Sequence, residues 1–186
     1  MKDYFCLKHF DEFSNPEVHK TLKVTSEDNS KNPSEYMTQV KTKVIDFDEV
    51  KENYLKDHGM NEDNAKSVDA LYKLNDKLCM AEFKNGDFKS SEIIEKALSS
   101  AMIYMDITGC CLEEFRRNSV FVLVYNERVK NPSSRQWAAS YKAKSSNRRY
   151  SKFQLDHLWK FCFEKVVEIE KGEFDNTQYA TQIESY

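Results

Sequence analysis

Apolar and polar positions change their period several times along the chain, and each change marks an element. Residues 1–33 mix apolar residues with turn formers and end in Asp28-Asn29-Ser30-Lys31-Asn32-Pro33, which predicts one short helix or strand followed by a loop. Asp46 and Glu49 have capping-box spacing, and Phe47, Val50 and Tyr54 recur on one helical face before Gly59. A helix of about three turns is expected there, with a start as early as Ser34 left open. From Ser67 to Lys84 short apolar runs surround Asn75-Asp76, the pattern of a β-hairpin. Ser90 or Ser91 then caps a predicted helix whose apolar face is Ile94, Ala97, Leu98, Ala101, Met102 and Met105, stopped by Gly109. Val120–Tyr125 is a nearly continuous β-branched and aromatic run, as expected of a strand buried on both faces. Leu155, Leu158, Trp159, Cys162, Phe163, Val166 and Ile169 predict a long amphipathic C-terminal helix over 153–172, ending at Gly172.

Together these elements predict an α/β (α+β) protein, a mixed β-sheet flanked by helices, folded as a single domain over 1–186 with a core at 34–125. Composition supports a packed chain, since 12 Phe and 10 Tyr stand against only 4 Gly and 3 Pro. No apolar stretch is long enough to span a hydrocarbon layer, and the N-terminus lacks the apolar run of a secretory signal, so a cytoplasmic protein is expected. Five cysteines without Cys-x-x-Cys spacing make poor material for a disulfide framework or a structural zinc site.

The formal charge of −3 hides an asymmetry. The segment 128–152 carries eight cations and no acid, leaving 20 basic and 31 acidic residues elsewhere. Its Arg135, Lys142, Lys144, Arg148 and Arg149 are interleaved with Trp137 and Tyr141. Cations neutralise phosphates and rings stack on bases, so this segment is expected to contact nucleic acid. The alternative is a solvated basic loop covering an acidic neighbour.

The hairpin carries the candidate chemistry. With Asn75-Asp76 as a two-residue turn, Asp69 falls opposite Glu82 on one face, at a separation where two carboxylates repel unless a cation lies between them. Such a pair suits Mg2+ or Mn2+, with the main-chain oxygen of Ala81 as a further ligand. Lys84, two residues beyond Glu82, projects on the same face. Phe83, on the other face, is expected to pack beneath the helix that follows.

A helix, an aspartate, a hairpin leading to Glu82-Phe83-Lys84, a second helix and a buried strand resemble the PD-(D/E)xK nuclease superfamily over roughly residues 47–125. The family's proline before the aspartate is replaced by Val68. The resemblance implies a restriction-endonuclease-like fold and a Mg2+-dependent or Mn2+-dependent nuclease with Asp69, Glu82 and Lys84 as its catalytic residues. It also implies an acid on the preceding helix, from Glu49, Glu52 or Glu62, with Glu52 preferred. Lys96 falls where members place a second polar residue, although a surface lysine is the simpler account, and Asp106 has no assigned role. DNA or RNA is the expected partner, and a homodimer would suit cleavage of both strands. The alternative within this fold is an inactive binding module, an inhibitor or accessory subunit; outside it, an unrelated protein whose hairpin charges are solvated.

Overall fold

The computed structural model describes residues 13–29, 33–126 and 151–184. In chain order its regular elements begin with β1 (His19–Thr21), α1 (Leu22–Thr25), β2 (Glu27–Asp28), β3 (Glu35–Tyr36), β4 (Lys43–Asp46) and α2 (Phe47–Asp57). The hairpin strands β5 (Ala70–Leu74) and β6 (Lys77–Lys84) follow, then α3 (Ser90–Thr108), α4 (Leu112–Asn118), β7 (Ser119–Tyr125), β8 (Lys165–Glu170), α5 (Lys171–Phe174) and α6 (Gln178–Thr181). Six strands form one mixed sheet in the order β1-β4-β5-β6-β7-β8, and β2 and β3 pair separately. Pairing is antiparallel as far as β6 and parallel from β6 to β8; between β6 and β7, α3 and α4 carry the chain back across the sheet.

Both faces of the sheet are covered, which is why the interior strands read as apolar runs rather than as alternations. On one face Ile45, Leu71, Met80 and Phe121 pack with Phe47, Ala97, Tyr104 and Phe115 from α2, α3 and α4. On the other, Tyr72, Cys79, Val122 and Val124 pack with Leu22 and Phe174. β7 is buried along nearly its whole length between β6 and β8, as its sequence predicts.

Helix α2 begins where its cap requires. The Asp46 carboxylate accepts the N–H groups of Asp48 (3.1 Å) and Glu49 (3.5 Å), and Gly59, with φ of 66°, lies just beyond its end. The earlier start near Ser34 is corrected: residues 35–36 and 43–46 are strands, with Val44 and Ile45 buried toward opposite faces. Helix α3 ends at Gly109 as expected, but Lys89, not a serine, holds its N-cap position. Its buried stripe is also rotated from the expected one, running through Ile93, Ala97, Ser100, Ala101, Tyr104 and Thr108, while Met102 is 67% exposed. Polar side chains fit this stripe because their hydroxyls bond main chain. Ser100 Oγ accepts from Val68 N (2.9 Å), and Thr108 Oγ1 donates to Tyr104 O (2.7 Å).

The long C-terminal helix over 153–172 is a correction. A 3-10 turn at Leu155–His157 and irregular chain precede β8, and Gln154 and Lys160 take left-handed φ values of 60° and 59° that no continuous helix tolerates. Leu155, Leu158, Cys162 and Phe163 are buried as their spacing suggests, but from a coiled path. Val166 and Val167 instead extend the sheet, as β-branched residues favour. Gly172 lies inside α5 rather than after a helix. Cys79, Cys111 and Cys162 are free thiols and Cys110 is disulfide-bonded, a bond the cysteine spacing gave no reason to expect. Burial pushes the Cys79 thiol up to about 12 and Cys162 to about 11, which makes both poor nucleophiles. Among the described residues no helix is long and apolar enough to cross a membrane.

Candidate active site

The hairpin turn fixes the site. Asn75 and Asp76 both adopt left-handed backbone (φ 47° and 60°), the two-residue geometry that matches the twist of paired strands. The register runs from Leu74↔Lys77 to Ala70↔Ala81, and its next step sets residue 69 against Glu82. Asp69 lies one residue outside β5, held from three sides. Its N–H donates to Ala81 O (3.1 Å), its carbonyl accepts Phe47 N–H (3.3 Å), and its Oδ2 accepts Phe83 N–H (2.6 Å). Ala81, expected to offer a main-chain oxygen to a metal, is wholly buried with that oxygen already engaged by Asp69.

Glu82 is fully buried. Lys84 Nζ lies 2.9 Å from its Oε1, so the expected Glu82–Lys84 contact is present. Lys96 is nearer the centre than the sequence suggests: its Nζ is 2.8 Å from Glu82 Oε1, 3.0 Å from Oε2 and 3.5 Å from Asp69 Oδ1. It is not a surface lysine but the cation shared by both acids. Although two ammonium groups approach Glu82 Oε1, neither aims a well-directed hydrogen bond at it, so this buried oxygen keeps an unused acceptor direction.

The electrostatics follow from burial. Desolvation first, and then the charge of Glu82, hold the Asp69 carboxyl well above the usual carboxylate range, while Lys96 and the Phe83 N–H oppose the shift. Burial alone would depress the Lys96 ammonium, but Asp69 and Glu82 outweigh it and leave its pKa raised. The charge of Asp48, in the first turn of α2, acts on both groups, and its Oδ1 accepts from Ser67 Oγ. Asp48 is thus the α2 acid whose charge is felt at both Asp69 and Lys96. Glu52, the preferred candidate, is exposed and makes no contact with Asp69, Glu82 or Lys84 among the described residues; Glu62 is exposed, and Glu49 lies 3.8 Å from Lys20. Asp106 has a structural task, accepting the Tyr54 hydroxyl (2.8 Å) and so tying α2 to α3. Phe83 points to the opposite face as expected, but it packs edge-on against Phe174 of α5 (5.7 Å) rather than beneath α3.

Arg135, Trp137, Tyr141, Lys142, Lys144, Arg148 and Arg149 lie outside the described residues. The residues that flank them do not. Asn126 donates from its N–H to Lys84 O (3.0 Å) and from Nδ2 to Asn85 Oδ1 (2.7 Å). On the far side Glu168 accepts Ser151 Oγ, Lys152 N (2.7 Å) and Phe153 N (3.2 Å). Glu82, Leu123 and Glu168 are neighbours in register across β6, β7 and β8, so this anchor shares a sheet face with the acids. Burial raises the Glu168 carboxyl, against the pull of those three donors.

Asp69 and Lys84 also line an open cavity of about 330 Å³ with Glu27, Asp28, Asn85 and Asp87. Among the described residues no cluster of three or more His, Cys, Asp or Glu side chains is arranged to hold a metal. A hard divalent ion remains compatible with the two carboxylates, because Mg2+ is commonly bound through one or two of them and completes its octahedron with water and phosphate oxygens. The Asp69 and Glu82 carboxylates, which already share one cation, fit that donor set. No protein family, no characterised protein and no solved structure matches the chain.

Proposed function

We propose that the chain is a restriction-endonuclease-like, Mg2+-dependent or Mn2+-dependent nuclease that hydrolyses phosphodiester bonds of DNA or RNA. The observation that carries this reading is the convergence of the Asp69 and Glu82 carboxylates on one cation position, with Lys84 alongside. The acidic lining of the adjoining cavity argues the same way, since a phosphate would be repelled there without a cation. When bound, a divalent ion supplies Lewis-acid polarisation of a phosphodiester and a more acidic water. Asp69 and Glu82 would hold it, Asp69 being oriented by the Phe83 N–H. Lys84, with 26% of its side chain exposed, reaches solvent and can orient an attacking water or neutralise charge on the phosphate. The basic segment, preceded by Asn126 on the Lys84 main chain and ending in Lys152 on Glu168, supplies cations for the nucleic-acid backbone.

A cleavage assay on DNA and RNA with Mg2+ or Mn2+ tests this. Asp69→Ala and Lys84→Ala should each lower the rate by about 100-fold or more. Undiminished cleavage by both variants would refute the reading.

One observation favours a second reading, a nuclease-like protein that binds nucleic acid or protein without cutting. Lys84 and Lys96 already balance the charges of Asp69 and Glu82 without a metal. Salt-sensitive nucleic-acid binding, with no cleavage in any metal, would support it.

A further inference from the structure

Lys96 occupies the space between the carboxylates that the proposed function reserves for a divalent ion. It touches both Glu82 oxygens and approaches Asp69, whereas among these acidic oxygens Lys84 meets Glu82 Oε1 alone. We propose that Lys96 is the resident counter-cation of this pair and that a divalent ion enters only by displacing its ammonium, so that Lys96 sets how tightly the site holds metal. This inference rests on the nuclease reading and deepens it.

The physical case begins with Glu82. A wholly buried carboxylate beside a second acid needs a compensating cation, because desolvation removes the water that would otherwise screen the pair. Lys96 meets that need from α3, between the buried Ile93 and Ser100, so its backbone is fixed. Its four-carbon stem is not, and only the ammonium need move. Mg2+ demands oxygens at about 2.0–2.1 Å. An ammonium within 3.0 Å of the same oxygens would then be forced against a doubly charged ion in a partly desolvated site, where like charges repel strongly. Lys84 can stay in place, because it approaches from one side of Glu82 only.

Calorimetric titration of the full chain with Mn2+ tests the proposal. Lys96→Gln keeps a hydrogen-bond donor but loses the charge, and should bind Mn2+ about tenfold more tightly than wild type. Lys96→Arg keeps the charge and should bind no more tightly than wild type. Wild-type binding with equal or weaker uptake by Lys96→Gln would overturn the role of Lys96 and leave the metal site standing. No uptake by any of the three proteins would overturn the metal reading and this inference together. A measurement on wild type alone guards against a variant that does not fold: in lysine ammonium NMR spectra, Mg2+ should shift or abolish the Lys96 signal. An unchanged signal under Mg2+ concentrations that saturate calorimetric binding would refute displacement.

Discussion

Asp69 is the residue at which burial and charge oppose each other most directly. In the unfolded chain its carboxyl titrates near the ordinary value of 3.8, and in the folded protein the pKa is raised. Between those two values the folded state keeps a proton that the unfolded chain has released, so stability falls as pH rises through that window and levels off above the folded pKa. Asp69→Asn keeps an oxygen to accept the Phe83 N–H but removes the titration. In metal-free buffer the variant's Tm should exceed that of wild type at neutral pH, and the gap should close as pH falls toward about 4. A gap independent of pH would place Asp69 at its ordinary pKa. Ser100 gives a second test at this scale. Ser100→Ala leaves the buried Val68 N–H, one residue before Asp69, without its partner, and should cost about 1–3 kcal/mol in urea unfolding. No loss would mean that this N–H finds another acceptor.

The hairpin is legible in the sequence because its turn fixes pairing by counting, and Asp69, Glu82 and Lys84 follow from the register alone. Lys96 is not, because the apolar spacing of the sequence starts its α3 stripe from Ile94. Anchored on Ile93, the same helical spacing runs through 93, 96, 97, 100 and 104, and a lysine inside an otherwise core-facing stripe becomes conspicuous. Ser100 and Tyr104 obscured that stripe by reading as polar, although a hydroxyl can be buried once it is bonded. The C-terminal region misled for a different reason. Burial at helical spacing arose there from an irregular path, and only the Val166-Val167 pair signalled a strand. The turn itself is suboptimal, since Asp76 holds a left-handed φ of 60° that glycine adopts without strain. Asp76→Gly should therefore stabilise the hairpin by about 0.5–1 kcal/mol, read as a higher urea midpoint. A lower midpoint would show that the Asp76 side chain contributes more than its backbone strain costs.

For the whole molecule, what matters is where charge is concentrated relative to the site. The chain is acidic overall, and the 128–152 segment is its densest run of cations; Asn126, just before it, is fastened to the Lys84 main chain, and Ser151 and Lys152, at its end, to Glu168 on the same sheet face as Glu82. Phosphate contacts release counterions, and the logarithm of affinity then falls with the logarithm of salt in proportion to their number. If Arg148 and Arg149 each contact a phosphate, replacing both by alanine should reduce the magnitude of that slope by about 1.8 on duplex DNA or about 1.4 on a single strand. The same pair of changes should leave Mn2+ affinity unchanged, since the metal would be held by Asp69 and Glu82 on the sheet. An unaltered slope would remove these two arginines from the interface. A loss of Mn2+ affinity would instead mean that the basic segment shapes the metal site itself, and the two parts of the molecule would no longer be separable.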